Sequence, residues 1–173
     1  MKISTLAFTM LLCMVSLIAV SQTNKLEKIS KQLQSDHPIL RASDVQNLNI
    51  DAEHVSQPSG VNYLYINQTV NGIRIKNSTI NAAFNRENEL VHLNGSPIEN
   101  VLSRAEGSEP SISLTQAIES TIAKLGIQGS VSVEQLDEYN YTTVIDAGNY
   151  LHESKAELVY WFTPEEELKL VWN

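Results

Sequence analysis

Cysteine is nearly missing from this chain. Cys13 is the single one in 173 residues, and it lies in an apolar leader. Once that leader is removed, no disulfide and no thiolate chemistry remain, so the core alone must hold the fold. A complete zincin motif is missing too. His152-Glu153 opens one, but Ala156 stands where the second histidine of H-E-x-x-H is required. His37, His54 and His92 share no ligand spacing with it or with each other. There is no Gly-x-Ser-x-Gly elbow for a serine nucleophile and no Gly-rich phosphate loop. Glu165, Glu166 and Glu167 follow Pro164 in a turn, which reads as a solvated acidic loop, not a pocketed acid–base pair. Basic residues are few: 12 Lys and Arg against 20 Asp and Glu give a net charge of -8. That balance argues against nucleic acid and against anionic membranes as partners.

What is present begins with a leader. Met1-Lys2 is a short basic start, and an apolar run follows from Leu6 to Val20. Small residues at Ala19 and Ser21 place a signal-peptidase cut between Ser21 and Gln22. The run is short for a membrane span of about 20 residues, and no basic stop-transfer cluster follows. Leu12 before Cys13 is too large for a lipoprotein signal. The expectation is a secreted, extracellular chain without membrane attachment after cleavage. About 150 residues then remain, enough for one domain or two small ones.

Residues 24–36 place Leu26, Ile29 and Leu33 on one helical face and Lys25, Glu27, Lys28 and Lys31 on the wet side; Pro38 ends the helix. Residues 43–57 are weaker, with Val45, Leu48 and Ile50 in a strand or an irregular segment. From residue 61 the pattern sharpens. Val61, Tyr63 and Tyr65 alternate with Leu64, Ile66 and Val70, which is a strand. Asn71-Gly72 suits a tight type I′ turn. Ile73 and Ile75 begin the return strand, and Ile80, Ala82 and Phe84 continue it with the opposite parity. One extra residue near 77–79, a bulge, reconciles the two halves. Arg86-Glu87-Asn88 turns the chain again, and Glu89 to Leu93 completes a three-stranded antiparallel meander.

Residues 97–112 read as a linker with a subdomain boundary near 106–109. Ser113 and Gln116 form a capping box, Leu114, Ala117, Ile118, Ile122 and Leu125 make an apolar stripe, and Gly126 stops the helix. Strands are expected over residues 131–136, 140–145, 157–163 and 168–172. The aromatic residues Tyr63, Tyr65, Tyr139, Tyr141, Tyr150, Tyr160, Trp161 and Trp172 read first as core and cross-strand packing, with an interface or carbohydrate platform as the alternative. Asn67, Asn77 and Asn140 head Asn-x-Ser/Thr sequences, which are short matches. A chain that stops inside the β-prone run ending at Asn173 reads as a truncation.

The Tyr63-to-Ile75 run, with Gln68, Thr69, Val70, Asn71 and Gly72 at its centre, the strand at 79–84 and the Glu89-Leu-Val-His-Leu-Asn-Gly segment resemble the propeptide module of fungalysin- and thermolysin-type zinc metalloproteases. The later chain resembles, more loosely, the PepSY-like part of such pro-regions. The pattern of helices and strands gives an α+β fold of two small helix-on-antiparallel-sheet units, and the resemblance implies a cystatin-like or PepSY-like arrangement. The domains are then a signal peptide at 1–21, a propeptide module at 22–105 and a PepSY-like segment at 106–173. It also implies a pro-region acting as intramolecular chaperone and inhibitor of a secreted peptidase. The partner is the cognate metallopeptidase catalytic domain, zinc belongs to that missing domain, and this chain has no catalytic site of its own. The meander of residues 61–93 and the sheet edge near Tyr160 are the candidate contact surfaces. The alternative is a freestanding secreted binding module or protease inhibitor acting in trans.

Overall fold

The computed structural model describes residues 22–136, 139–146 and 151–173. The expected leader at 1–21, Ser21 included, and Tyr150 lie outside the described residues. In chain order the elements are α1 (residues 22–36), α2 (Ala42–Val45), β1 (Leu48–Val55), β2 (Asn62–Val70), β3 (Ile73–Lys76), β4 (Ile80–Phe84), β5 (Leu90–Gly95), α3 (Val101–Arg104), α4 (Leu114–Lys124), β6 (Ser130–Gln135), β7 (Asn140–Asp146), β8 (Leu151–Phe162) and β9 (Leu168–Trp172). The fold is α+β. It divides into two compact units, one of residues up to 66 with 79–99, the other of residues 67–78 with 100–173. The division therefore falls inside β2.

In the first unit, α1 presents Ile29 and Leu33 to Leu64 and Ile66 of β2 and to Ile80, Ala82 and Phe84 of β4, all buried in one core, with Leu26 packed at its margin. Lys25, expected on the wet face, is buried instead. Its Nζ lies 3.3 Å from Glu53 Oε1 and 5.8 Å from the centroid of the Phe84 ring. A lysine can lay its apolar stem on a core while its head stays paired, and the helical pattern alone does not reveal that. The ambiguous stretch at 43–57 resolves into α2 and β1. Asp44 accepts the Arg41 N–H at 2.9 Å to start α2, and Val45 closes onto the core.

The alternation in β2 sorts its side chains as the period of two requires: Leu64 and Ile66 are buried, while Tyr63 and Tyr65 are 41% and 45% exposed. β2 pairs antiparallel with β4, and β4 with β5. Asn85 closes the connection, its side-chain oxygen accepting the Glu89 N–H at 2.8 Å, and Asn88 takes a φ of 62°. β5 runs on to Gly95, which faces Ile80.

The expected one-residue bulge is larger than its sequence signature. Thr69 faces Arg74, yet Ile66, three positions earlier, faces Ile80, six positions later. The excess is three residues, Asn77, Ser78 and Thr79, so β3 and β4 are separate strands. Asn77 turns the corner at φ 70°. Ser78 is buried there, donating its hydroxyl to the Ile75 carbonyl at 3.0 Å and accepting the Gln68 N–H at 3.2 Å. A side chain that supplies hydrogen bonds to a buried corner lets the strand break without stranding backbone groups.

In the second unit, β3 pairs antiparallel with the end of β2 and parallel with β8, where Ile75 faces Tyr160 and Lys76 faces Trp161. β8 also pairs antiparallel with β7 and β9, and β6 with β7. The parallel pair departs from the all-antiparallel expectation. β8 starts at residue 151, not 157, because its polar first half carries no apolar alternation to announce it. α4 opens on the reciprocal Ser113–Gln116 capping box, and Gly126 follows it at φ 69°. Leu114 and Ile122 of its stripe are buried, whereas Leu125 is 68% exposed. The segment read as linker holds α3, and the Glu106 N–H donates to the Leu168 carbonyl at 3.0 Å.

Candidate functional site

The five residues Gln68, Thr69, Val70, Asn71 and Gly72 close the β2–β3 hairpin, which belongs to the second unit. Gln68 is fully buried and Val70 nearly so. Val70 faces Ile73 across the turn, and Asn71 and Gly72 both take positive φ, 54° and 79°. This is the twist a two-residue hairpin turn needs. The turn is also held from outside the hairpin. The Tyr139 hydroxyl donates to the Asn71 carbonyl at 3.1 Å. On the return strand, the Arg74 guanidinium makes a two-pronged ion pair with Glu157 of β8, both side chains being largely buried.

Beneath the hairpin, Tyr160 is fully buried and its hydroxyl donates to the Gly107 carbonyl. Burial pushes the Tyr160 phenol above its ordinary value, against an opposing hydrogen bond from Asn71. Tyr160 is therefore not at a sheet edge, contrary to the sequence reading: it faces Ile75 on one side and Leu170 on the other. Among the described residues, the strands with a single strand partner are β1 and β5 in the first unit and β6 and β9 in the second, and the Leu168 end of β9 is also met by Ala105 and Glu106. These are the edges with backbone groups available to an extended partner.

His152-Glu153 lies in β8, where His152 faces Ile145, and a strand cannot give the one-face spacing that H-E-x-x-H takes from a helix. Among the described residues, no three His, Cys, Asp or Glu side chains come together to hold a metal ion. Gln22 donates its side-chain amide to Glu53 at 3.4 Å. Of the three Asn-x-Ser/Thr sequences, Asn77 is exposed, Asn140 is half-buried in β7, and Asn67 is 4% exposed. No described helix is long and apolar enough to cross a membrane.

Residues 46–97 match the Fungalysin/Thermolysin Propeptide Motif. The match spans β1 to β5 and includes the whole Gln68–Gly72 turn. It does not extend to the residues expected to be PepSY-like. No curated protein matches the chain. The motif thus coincides with the meander, and the Asn71-Gly72 turn at its centre is held by Tyr139, which lies beyond the matched residues.

Proposed function

We propose that this chain is the pro-region of a secreted fungalysin-type zinc metalloendopeptidase, acting as intramolecular chaperone and inhibitor of a catalytic domain that this sequence does not contain. The propeptide motif over residues 46–97 carries the reading. Propeptides of that family partner with a peptidase catalytic domain. The fold supports the role in physical terms. It offers strand edges at β1, β5, β6 and β9, which can add to an extended segment by main-chain hydrogen bonds. A rigid surface of that kind stabilises a folding partner without contributing chemistry. The apolar leader and its cut between Ser21 and Gln22 are part of the same reading, because a pro-region of a secreted enzyme travels with it.

The test is refolding in trans. A denatured fungalysin-type catalytic domain is diluted from urea with and without this chain, and peptidase activity is followed. The expected result is a higher refolding yield and a slower rate of proteolysis while the chain stays bound. Equal yields and an untouched rate at high chain concentration would sink the pro-region reading. They would leave the freestanding binding module.

A further inference from the structure

The second unit holds a cleft of about 760 Å³ that the pro-region reading does not use. Its walls include Asn71, Glu109, Ser113, Tyr139, Tyr141 and Trp172. That volume lies in the range of small-molecule sites, roughly 300–1,000 Å³. The polar ends of two of its aromatic residues are already engaged, one by a residue of the walls and one by a residue outside them. The Tyr139 hydroxyl donates to the Asn71 carbonyl at 3.1 Å, and the Trp172 indole N–H donates to the Ile112 carbonyl at 2.9 Å. Tyr141 meets Trp172 edge-to-face, with ring centroids 5.4 Å apart and planes at 84°. What Tyr139 and Trp172 still offer a ligand is π surface, whose quadrupole attracts cations, tryptophan most strongly.

The charge lining the cleft has one sign. Glu109 is the only charged residue among those lining it, and no ion pair among the described residues neutralises it. The whole chain adds a net charge of -8, which concentrates cations near the surface. The geometry points to a binding site for a cationic side chain, that of an arginine in an extended peptide or protein segment. The guanidinium stacks on the aromatic surface and its N–H groups meet the Glu109 carboxylate. Arginine suits the site better than lysine, because a planar and weakly hydrated cation stacks on rings while keeping its in-plane donors. The cleft takes this ligand whether or not the chain is a pro-region.

The experiment uses N-acetyl-arginine amide and its neutral isostere N-acetyl-citrulline amide, titrated into the purified chain. The indole N–H resonance of Trp172 reports binding. It is one of two such signals in the protein, and Trp161→Phe assigns it. The expected outcome is a saturable shift with the arginine probe and binding roughly tenfold weaker with citrulline. Glu109→Gln, which alters an exposed side chain, weakens the arginine probe by a similar factor and leaves citrulline unchanged. Added salt weakens the arginine probe alone. Equal affinity for the two probes overturns the assignment, and so does the absence of saturation by about 10 mM. Because the arginine–citrulline comparison is made on the unsubstituted chain, it decides the matter even where a variant fails to fold.

Discussion

A Cβ placed on Gly95 would stand 2.8 Å from the Thr79 carbonyl oxygen and 2.9 Å from Ile80 Cα, at a backbone φ of 153°. Both neighbours are main chain where the chain enters β4, so neither can swing aside. Gly72 differs: its φ of 79° disfavours any side chain, but the nearest atom is the Tyr139 hydroxyl at 3.3 Å, the end of a side chain that can shift. The two glycines therefore fail for different reasons when substituted. Gly95→Ala is expected to destabilise the protein by about 2 kcal/mol or more, from overpacking added to backbone strain. Gly72→Ala is expected to cost about 1 kcal/mol, and Gly72→Val more, because a β-branched residue resists positive φ. Urea unfolding of the three variants checks the order. A Gly95→Ala midpoint equal to that of the unsubstituted protein would mean that β5 does not pair with β4 at this register.

At the scale of elements, Glu53 ties β1 to both α1 and β2. It accepts from the Asn62 side-chain amide at 2.5 Å and from Lys25 Nζ at 3.3 Å. The Asn62 hydrogen bond, helped by Lys25, holds its carboxyl below the ordinary value of 4.5 in spite of partial burial. A carboxylate depressed in the folded state contributes stability in full above its unfolded value and loses it as the pH falls through the folded one. Acid unfolding should accordingly steepen below about pH 4.5, and Glu53→Gln should flatten that part of the curve while leaving its slope above pH 6 unchanged. Identical slopes in the two proteins would show that Glu53 is not linked to folding. Of these elements, the sequence announces those with a local period or cap: the alternation of β2, the Asn71-Gly72 pair, and the Ser113–Gln116 box of α4. It does not announce the parallel pairing of Ile75 with Tyr160, because partners so distant in the chain leave no local signature. Nor does it announce the burial of Lys25, where a charged head hides an apolar stem. The aromatic residues of the cleft are visible as a pool, but only β7 and β9 folding onto opposite sides of β8 gather Tyr141 and Trp172. The first half of β8 was hidden for the converse reason, since its polar sequence gives no apolar rhythm to read.

The whole molecule is built from units that do not follow the chain in order. Residues 67–78 belong with residues 100–173. That hairpin contributes Ile73 and Ile75, 1% and 0% exposed, to the same unit as the fully buried Val159 and Tyr160 of β8. It also brings Arg74 to Glu157, and it gives β8 a parallel neighbour. A chain of residues 100–173 alone lacks all three contributions. One flank of β8 would lose its ladder partner and two isoleucines that cover it, and Glu157 would lose a cation held in a largely buried site. Such a fragment is expected to bind a hydrophobic dye and to unfold without a cooperative transition. Restoring the hairpin in a single chain, with residues 67–78 joined by a flexible Gly/Ser linker to residue 100, should bring cooperative urea unfolding back. The linker adds only a weakly length-dependent closure cost, whereas the hairpin returns buried apolar area and the missing ladder. If residues 100–173 unfold cooperatively by themselves, at the same urea midpoint as the joined chain, the hairpin is not part of that unit. The Gln68–Gly72 turn would then be free to face a partner instead of being held by Tyr139.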